Sequence, residues 1–195
     1  PGSASAAAGS DSFTMPAGCQ GFRDRSDATL VREAGEATSD FALSNLTNCN
    51  VRLLSTSRAL WIRGLKGCTV YAVPVGGSIY LTECHNCTIV IGSRQMRMHT
   101  STDCSLFLHV ASHPIIEHCS ALRVAPYPEL PLELHAAWAA AGLQPDKNSW
   151  NQVDDFDWLK QSQSPNWSVM ADEQAAEERL KLPSLLVGPS PHVED

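Results

Sequence analysis

Leu46-Thr-Asn-Cys49-Asn-Val51, Leu65-Lys-Gly-Cys68-Thr-Val70, Asn86-Cys87-Thr-Ile89, Asp103-Cys104-Ser-Leu106 and His118-Cys119-Ser-Ala121 are five versions of one short phrase. Their cysteines are separated by 19, 19, 17 and 15 residues. After most of them apolar positions alternate: 49, 51 and 53; 68 and 70; 87, 89 and 91; 104, 106 and 108. That is the period of a strand with one buried face. A second alternating run follows in the early units, Ala59-Leu-Trp-Ile62, Ser78-Ile-Tyr-Leu81 and Gln95-Met-Arg-Met98, with turn formers such as Pro74-Val-Gly-Gly77 between the two. Units of near-constant length, each with two short strands and no helix, fit a solenoid. Each unit is one coil, and equivalent strands stack in parallel about 4.8 Å apart. The cysteines then form an internal ladder, because a small, polarisable side chain suits a narrow interior. The fold expected is all-β, a right-handed parallel β-helix over residues 19–130.

On the N-terminal side, residues 1–18 are rich in Ala, Ser and Gly and read as flexible, opening with Pro1-Gly2-Ser3, which looks like a tag scar. Gly21-Phe22-Arg-Asp and Ala28-Thr-Leu-Val31 read as an entry strand that caps the first coil. On the other side, residues 131–182 are expected to form a helix and an aromatic segment packed on the coils. Leu132 to Leu143 has helical spacing, and Gly142 is placed to cap it. Trp138, Trp150, Trp158 and Trp167 fall in this segment, which suits a cover for the open end of a solenoid. Residues 183–195 read as a disordered tail.

Composition restricts the function. The net charge of −7 lies wholly in the last third: residues 133–195 hold four basic and eleven acidic side chains, whereas residues 1–132 hold ten of each. An acidic chain without a basic stripe does not bind nucleic acid through its phosphates. No apolar run is long enough to span a bilayer, and no secretory h-region is present, so the chain reads as cytoplasmic. Seven cysteines, an odd number, do not make a disulfide framework.

Chemistry-bearing motifs are few. There is no phosphate-binding Gly-x-x-x-x-Gly-Lys-Ser/Thr loop, no Gly-x-Ser-x-Gly elbow and no His-Glu-x-x-His. Between Cys49 and Cys119 the carboxylates are Glu83, Asp103 and Glu117, too few for a paired-carboxylate site. Cys84-x-x-Cys87, with His85 inside it, lacks the second ligand pair of a structural zinc site, so these thiols read as buried. His99, His109, His113 and His118 read as scattered, satisfied or surface imidazoles. No metal and no cofactor is expected.

Gln95-Met96-Arg97-Met98-His99 stands apart. Strict alternation turns Met96 and Met98 inward and Gln95, Arg97 and His99 outward, with Trp61 and Tyr80 in the corresponding outward place of the preceding coils. A guanidinium on a rigid strand beside aromatic rings has the geometry of a residue that enters another protein's active site. On spacing alone a structural role is favoured, with Arg97 stacked on Tyr80 or paired with Asp103 or Glu117.

The residues also resemble a known family, the tubulin-binding cofactor C proteins. Thr29-Leu-Val-Arg-Glu-Ala-Gly35, Leu46-Thr-Asn-Cys-Asn-Val51, Gln95-Met-Arg-Met-His99, Pro114-Ile-Ile-Glu117 and Ala125-Pro-Tyr127 carry the likeness. So do Asn151-Gln-Val-Asp-Asp-Phe-Asp-Trp-Leu159 and Ser164-Pro-Asn-Trp-Ser168. The resemblance implies a role in tubulin folding: with cofactors D and E, stimulation of GTP hydrolysis by β-tubulin through an arginine finger, releasing the αβ-heterodimer. It also implies a cytoskeletal association. Related domains act on Arf-like small GTPases, and a β-helix of cyclase-associated proteins binds actin without catalysis. The family's finger maps to Arg97, with Gln95 supporting it and Arg94, His99, Tyr80 and Glu117 as partner-contact candidates. The family has Gln three residues before the finger, where this chain has Arg94, and carries an N-terminal helical domain that has no counterpart here. Tyr127, Trp150, Phe156, Trp158 and Trp167 are read as packing rather than interface.

Overall fold

The computed structural model describes residues 15–35 and 38–184. The segments read as flexible at the N-terminus and disordered at the C-terminus lie largely outside the described residues. Fourteen strands occur in chain order. The first eight are β1 (Gln20–Ser26), β2 (Thr29–Arg32), β3 (Thr38–Thr47), β4 (Asn50–Leu53), β5 (Ser57–Lys66), β6 (Thr69–Ala72), β7 (Ser78–His85) and β8 (Thr88–Ser93). Then come β9 (Gln95–His99), β10 (Ser105–Val110), β11 (Ile115–Glu117), β12 (Leu122–Pro126), β13 (Asp154–Asp155) and β14 (Trp167–Val169). Odd-numbered strands stack into one parallel sheet, β1 to β13, and even-numbered strands into the other, β2 to β14. This is the expected β-helix. The segments read as an entry cap are themselves the first coil, paired in parallel with β3 and β4.

The corners show why this sequence coils. Each coil turns from the first sheet to the second through two residues in the left-handed region. One column is Asp24, Asn45, Gly64, Glu83, Thr100 and His118; the other is Asp27, Asn48, Gly67, Asn86, Asp103 and Ala121. Asn, Asp and Gly tolerate positive φ far better than branched residues, which explains their recurrence. The short side chains also link coils: Asn45 Nδ2 donates to Asp24 Oδ1 at 2.9 Å, and Asn48 Nδ2 to Asp27 Oδ1 at 3.1 Å. At Gly67 (φ 60) a Cβ would stand 2.7 Å from Asn48 Oδ1, so a side chain here would push the Asn48 carboxamide out of place.

The small residue after each corner points inward, and its polar hydrogen satisfies the turn. The thiols of Cys49, Cys68, Cys87 and Cys104 each donate to the carbonyl two residues earlier, at 3.3–3.4 Å. These four are stacked rungs, as expected. Cys119 is not the fifth. The pairing of Ser105 with Arg123 puts Leu122 in that rung, 18 residues after Cys104, and Cys119 joins a second column with Leu46, Leu65, Cys84 and Ser101. Both corners use the same local chemistry, so Cys119 also donates to the carbonyl two residues back, Glu117, at 3.3 Å. Burial pushes the Cys119 thiol up to about 11, and all seven cysteines are free thiols.

One core fills the coils, from Phe41 and Leu43 through Leu60, Ile79 and Met98 to Ile116. A second lies outside the second sheet, where Tyr71, Val90, Phe107 and Ala125 meet Leu130, Leu134, Met170 and Ala175. The C-terminal segment therefore covers a sheet face as well as extending both sheets at the solenoid end through β13 and β14. Its helical stretch is a 3₁₀ turn, Leu132–Leu134, followed by α1 (Ala136–Ala141), which Gly142 ends at φ 63. Trp138 packs edge-on against His109 and Tyr127. A further helix, α2 (Asp172–Leu180), places Ala175 in this second core and Arg179 over the ring of Phe107.

Candidate functional site

Met96 and Met98 are 1% and 0% exposed, whereas Gln95 and Arg97 are exposed and His99 is partly so. Arg97 therefore stands on the outer face of the first sheet, in a row that runs Ala42, Trp61, Tyr80, Arg97, Ile115 and Asp154. The rings of Trp61 and Tyr80 stack at 4.3 Å, 17° from parallel, and form an aromatic floor on the N-terminal side of the guanidinium. Ile115 and Asp154, which the sequence did not single out, follow it on the other side.

The strand that carries Arg97 is tightly held. In the preceding coil five residues separate β6 from β7, but only Arg94 separates β8 from β9. Its backbone N–H donates to Gly77 O at 2.9 Å, and its carbonyl accepts from Ser112 N–H and Oγ at 3.1 and 3.0 Å. Ser93 Oγ spans the corner to Gln95 O at 2.9 Å. Arg94, Gln95, Gly77, Ser78, Ala111 and Ser112 line a shallow groove of about 350 Å³ beside the strand. The Arg94 side chain reaches toward Gly142 after α1, away from the Arg97 row: a Cβ at Gly142 would meet it at 2.9 Å. Gln95 Oε1 accepts from Ser78 Oγ at 3.4 Å.

Electrostatics separate Arg97 from other arginines of the coils. Arg58 pairs with Asp40 at 3.0 Å, Arg63 with Glu83 at 3.3 Å and Arg123 with Asp103 at 2.9 Å. The side chains of Arg97 and of neighbouring Arg94 make no hydrogen bond or ion pair with any described residue. Asp103 is thus occupied by Arg123, and Glu117 faces His99 Nδ1 at 3.2 Å rather than holding Arg97. The histidines are less scattered than expected. His99 and His118 both approach Glu117, His118 also approaches Asp157 at 3.2 Å, and His113 meets Asp154 at 3.2 Å. His109 is buried, as a satisfied imidazole would be, yet its Nε2 has no partner among the described residues, and burial lowers its pKa. Phe156 is 53% exposed and so departs from the packing role expected of it, whereas Trp150 and Trp167 do pack on the main core.

The arrangement defines a class: a parallel β-helix whose first sheet carries on its outer face an exposed guanidinium, Arg97, without an ion pair among the described residues. The sequence pattern of the Tubulin binding cofactor C family matches residues 38–156, and the chain belongs to that family. It is 39% identical to Tubulin-folding cofactor C of Arabidopsis thaliana and 37% identical to Tubulin-specific chaperone C of Mus musculus. Each alignment covers 79% of this chain but 45% and 46% of those proteins. The chain thus spans less than half the length of these curated relatives. Protein XRP2 of Mus musculus is similar at 27% identity over 83% of the chain. Among solved structures, Tubulin Binding Cofactor C from Leishmania major superposes with a TM-score of 0.56 at 28% identity, covering 74% of this chain and 90% of that one.

Proposed function

We propose that this chain is a tubulin-folding cofactor that stimulates GTP hydrolysis by β-tubulin, together with cofactors D and E, by inserting Arg97 as an arginine finger, so that native αβ-tubulin is released. The observation that carries this reading is the exposed guanidinium of Arg97, without a side-chain partner among the described residues, on a strand whose neighbours are fixed. A guanidinium already paired at home would first have to break that pair; this one is available.

In the encounter the partner supplies GTP, its metal ion and the attacking water. Water attacks the γ-phosphorus while the bond to the β–γ bridging oxygen breaks, and charge spreads over the phosphoryl oxygens. Arg97 would donate N–H bonds to those oxygens in a site from which docking has excluded water, where such bonds are strongest. Gln95, two residues earlier on the same face, would support the finger or the water. Tyr80, His99 and Glu117 would contact the partner around it, and Arg94 would do so from the adjoining groove. The cytoplasmic, cytoskeleton-associated setting is part of this proposal.

The test compares GTP turnover by tubulin with cofactors D and E, in the presence of wild-type protein or Arg97→Ala. Loss of stimulation with retained fold is expected; full stimulation by the variant rejects the finger. Substituting an Arf-like GTPase for tubulin in the same assay separates the two substrates. Partner binding without any stimulation would indicate a non-catalytic binding module.

A further inference from the structure

At the corner beyond β9 and β11, four chemistry-bearing side chains arrive from three coils. His99 ends β9, Glu117 ends β11, His118 turns the corner after it, and Asp157 follows β13. His118 Nε2 lies 3.9 Å from Glu117 Oε1, and His118 Nδ1 lies 3.2 Å from Asp157 Oδ1. One donor atom from each of Glu117, His118 and Asp157 falls within 4.8 Å of the other two, the only such group of three among the described residues. On the far side of Glu117, His99 Nδ1 stands 3.2 Å from Oε2.

The fold, not chance on a flexible surface, sets these positions. His118 occupies the left-handed corner column at φ 54, and its backbone N–H donates to Asp157 Oδ2. Asp157 lies on a loop pinned by Asp155, whose Oδ1 accepts the Asp157 N–H at 3.1 Å and whose Oδ2 accepts from Ser164 Oγ at 2.5 Å and Asn166 Nδ2 at 2.8 Å. The side chains of Glu117 and Asp157 are 36% and 34% exposed and that of His118 67%, so the group stands at the surface with its imidazole open to solvent.

With metal–ligand bonds of about 2.0–2.2 Å, neighbouring donors in a tetrahedral site stand roughly 3.3–3.6 Å apart. His118 Nδ1 and Asp157 Oδ1, 3.2 Å apart, stand near that spacing, and with one donor atom from each residue the three lie within 4.8 Å of one another, so a small side-chain adjustment of Glu117 closes the set. We propose that Glu117, His118 and Asp157 form a binding site for a borderline divalent transition-metal ion of the zinc type. One imidazole nitrogen and two carboxylate oxygens are the ligands, and water takes the remaining position. His99 then serves as the outer contact that fixes the second oxygen of Glu117, as partners of metal-bound carboxylates commonly do. The donor set distinguishes the ion: an imidazole with few oxygens suits zinc-class ions and not magnesium or calcium, which take six or more oxygens. The corner adjoins Arg97, but the metal site does not depend on the GTPase reading.

The experiment is a titration of the full chain, free of any histidine tag, with zinc chloride alone, by calorimetry and by competition with a chromophoric chelator. The expected result is one equivalent bound, undisplaced by millimolar magnesium and retained in Cys19→Ser, since Cys19 is the one cysteine not buried. His118→Asn preserves a residue type that tolerates positive φ, and Asp157→Asn keeps the side-chain shape. Each is expected to weaken binding at least tenfold, and His99→Gln by a smaller factor. Absence of binding by the wild type, or affinity unchanged in both His118→Asn and Asp157→Asn, overturns the site.

Discussion

Arg97 and its neighbours Met96 and Met98 allow folding and function to be separated on three consecutive residues. Arg97→Ala removes a side chain that makes no hydrogen bond or ion pair with any described residue, and strand propensities span only about 1 kcal/mol, so stability should change by no more than about 0.5 kcal/mol. Met96→Ala and Met98→Ala empty positions that are 1% and 0% exposed, and each should cost about 2–5 kcal/mol. Function should invert this order. A finger supplied in trans contributes roughly 10³–10⁵ in rate, which at about 1.36 kcal/mol per decade is about 4–7 kcal/mol of transition-state stabilisation. Urea unfolding followed by circular dichroism, run beside GTP turnover with tubulin and cofactors D and E, reads both quantities on the same samples. Arg97→Ala should melt like the wild type and fail to stimulate. A stability loss above about 1 kcal/mol in Arg97→Ala, or stimulation within a few-fold of wild type, refutes the reasoning.

Three further outcomes follow from the geometry. Gly67→Ala forces a Cβ to 2.7 Å from Asn48 Oδ1 at φ 60, so the urea midpoint should fall by more than about 1 kcal/mol equivalent with an unchanged slope. His109 is buried with its pKa lowered, so its stabilising contribution is complete above the unfolded value of about 6.5 and is lost as pH falls below it. His109→Phe should therefore show a shallower loss of stability from pH 7 to 5 than wild type; identical profiles would exclude that role. Arg94→Gln, which restores the family's residue before the finger, should raise stimulated GTP turnover, and no gain would show that Arg94 does not weaken the site.

Alternation and repeat length made most of the architecture readable. Inward Met96 and Met98, outward Arg97 and the cap at Gly142 follow from residue type and period, because those signals are local. What the sequence concealed depends on register between coils. Cys119 carries the same local phrase as the ladder cysteines, and only the pairing of β10 with β12 shows that it belongs to the other corner. The approach of His99, His118 and Asp157 to Glu117 requires β11 to pair with both β9 and β13, across a connection from residue 117 to 154 that is longer than any coil repeat. The C-terminal segment was legible as a cover from its tryptophans, but its laying of Leu130, Leu134 and Met170 over Phe107 was not, because the outward residues of β10 are Ser105, Phe107 and His109, a mixed set that does not announce a buried face.

The one-residue corner at Arg94 has a consequence for whatever docks here. Most catalytic intrusions ride on loops that can swing and probe, so host and visitor share the adjustment. This one is mounted on a wall with no slack, and only the length of its own side chain can extend. Under the proposed function the burden of fitting then falls on the visitor, which would have to bring its nucleotide up to the outer face of the sheet and match its contour rather than meet a moving lever.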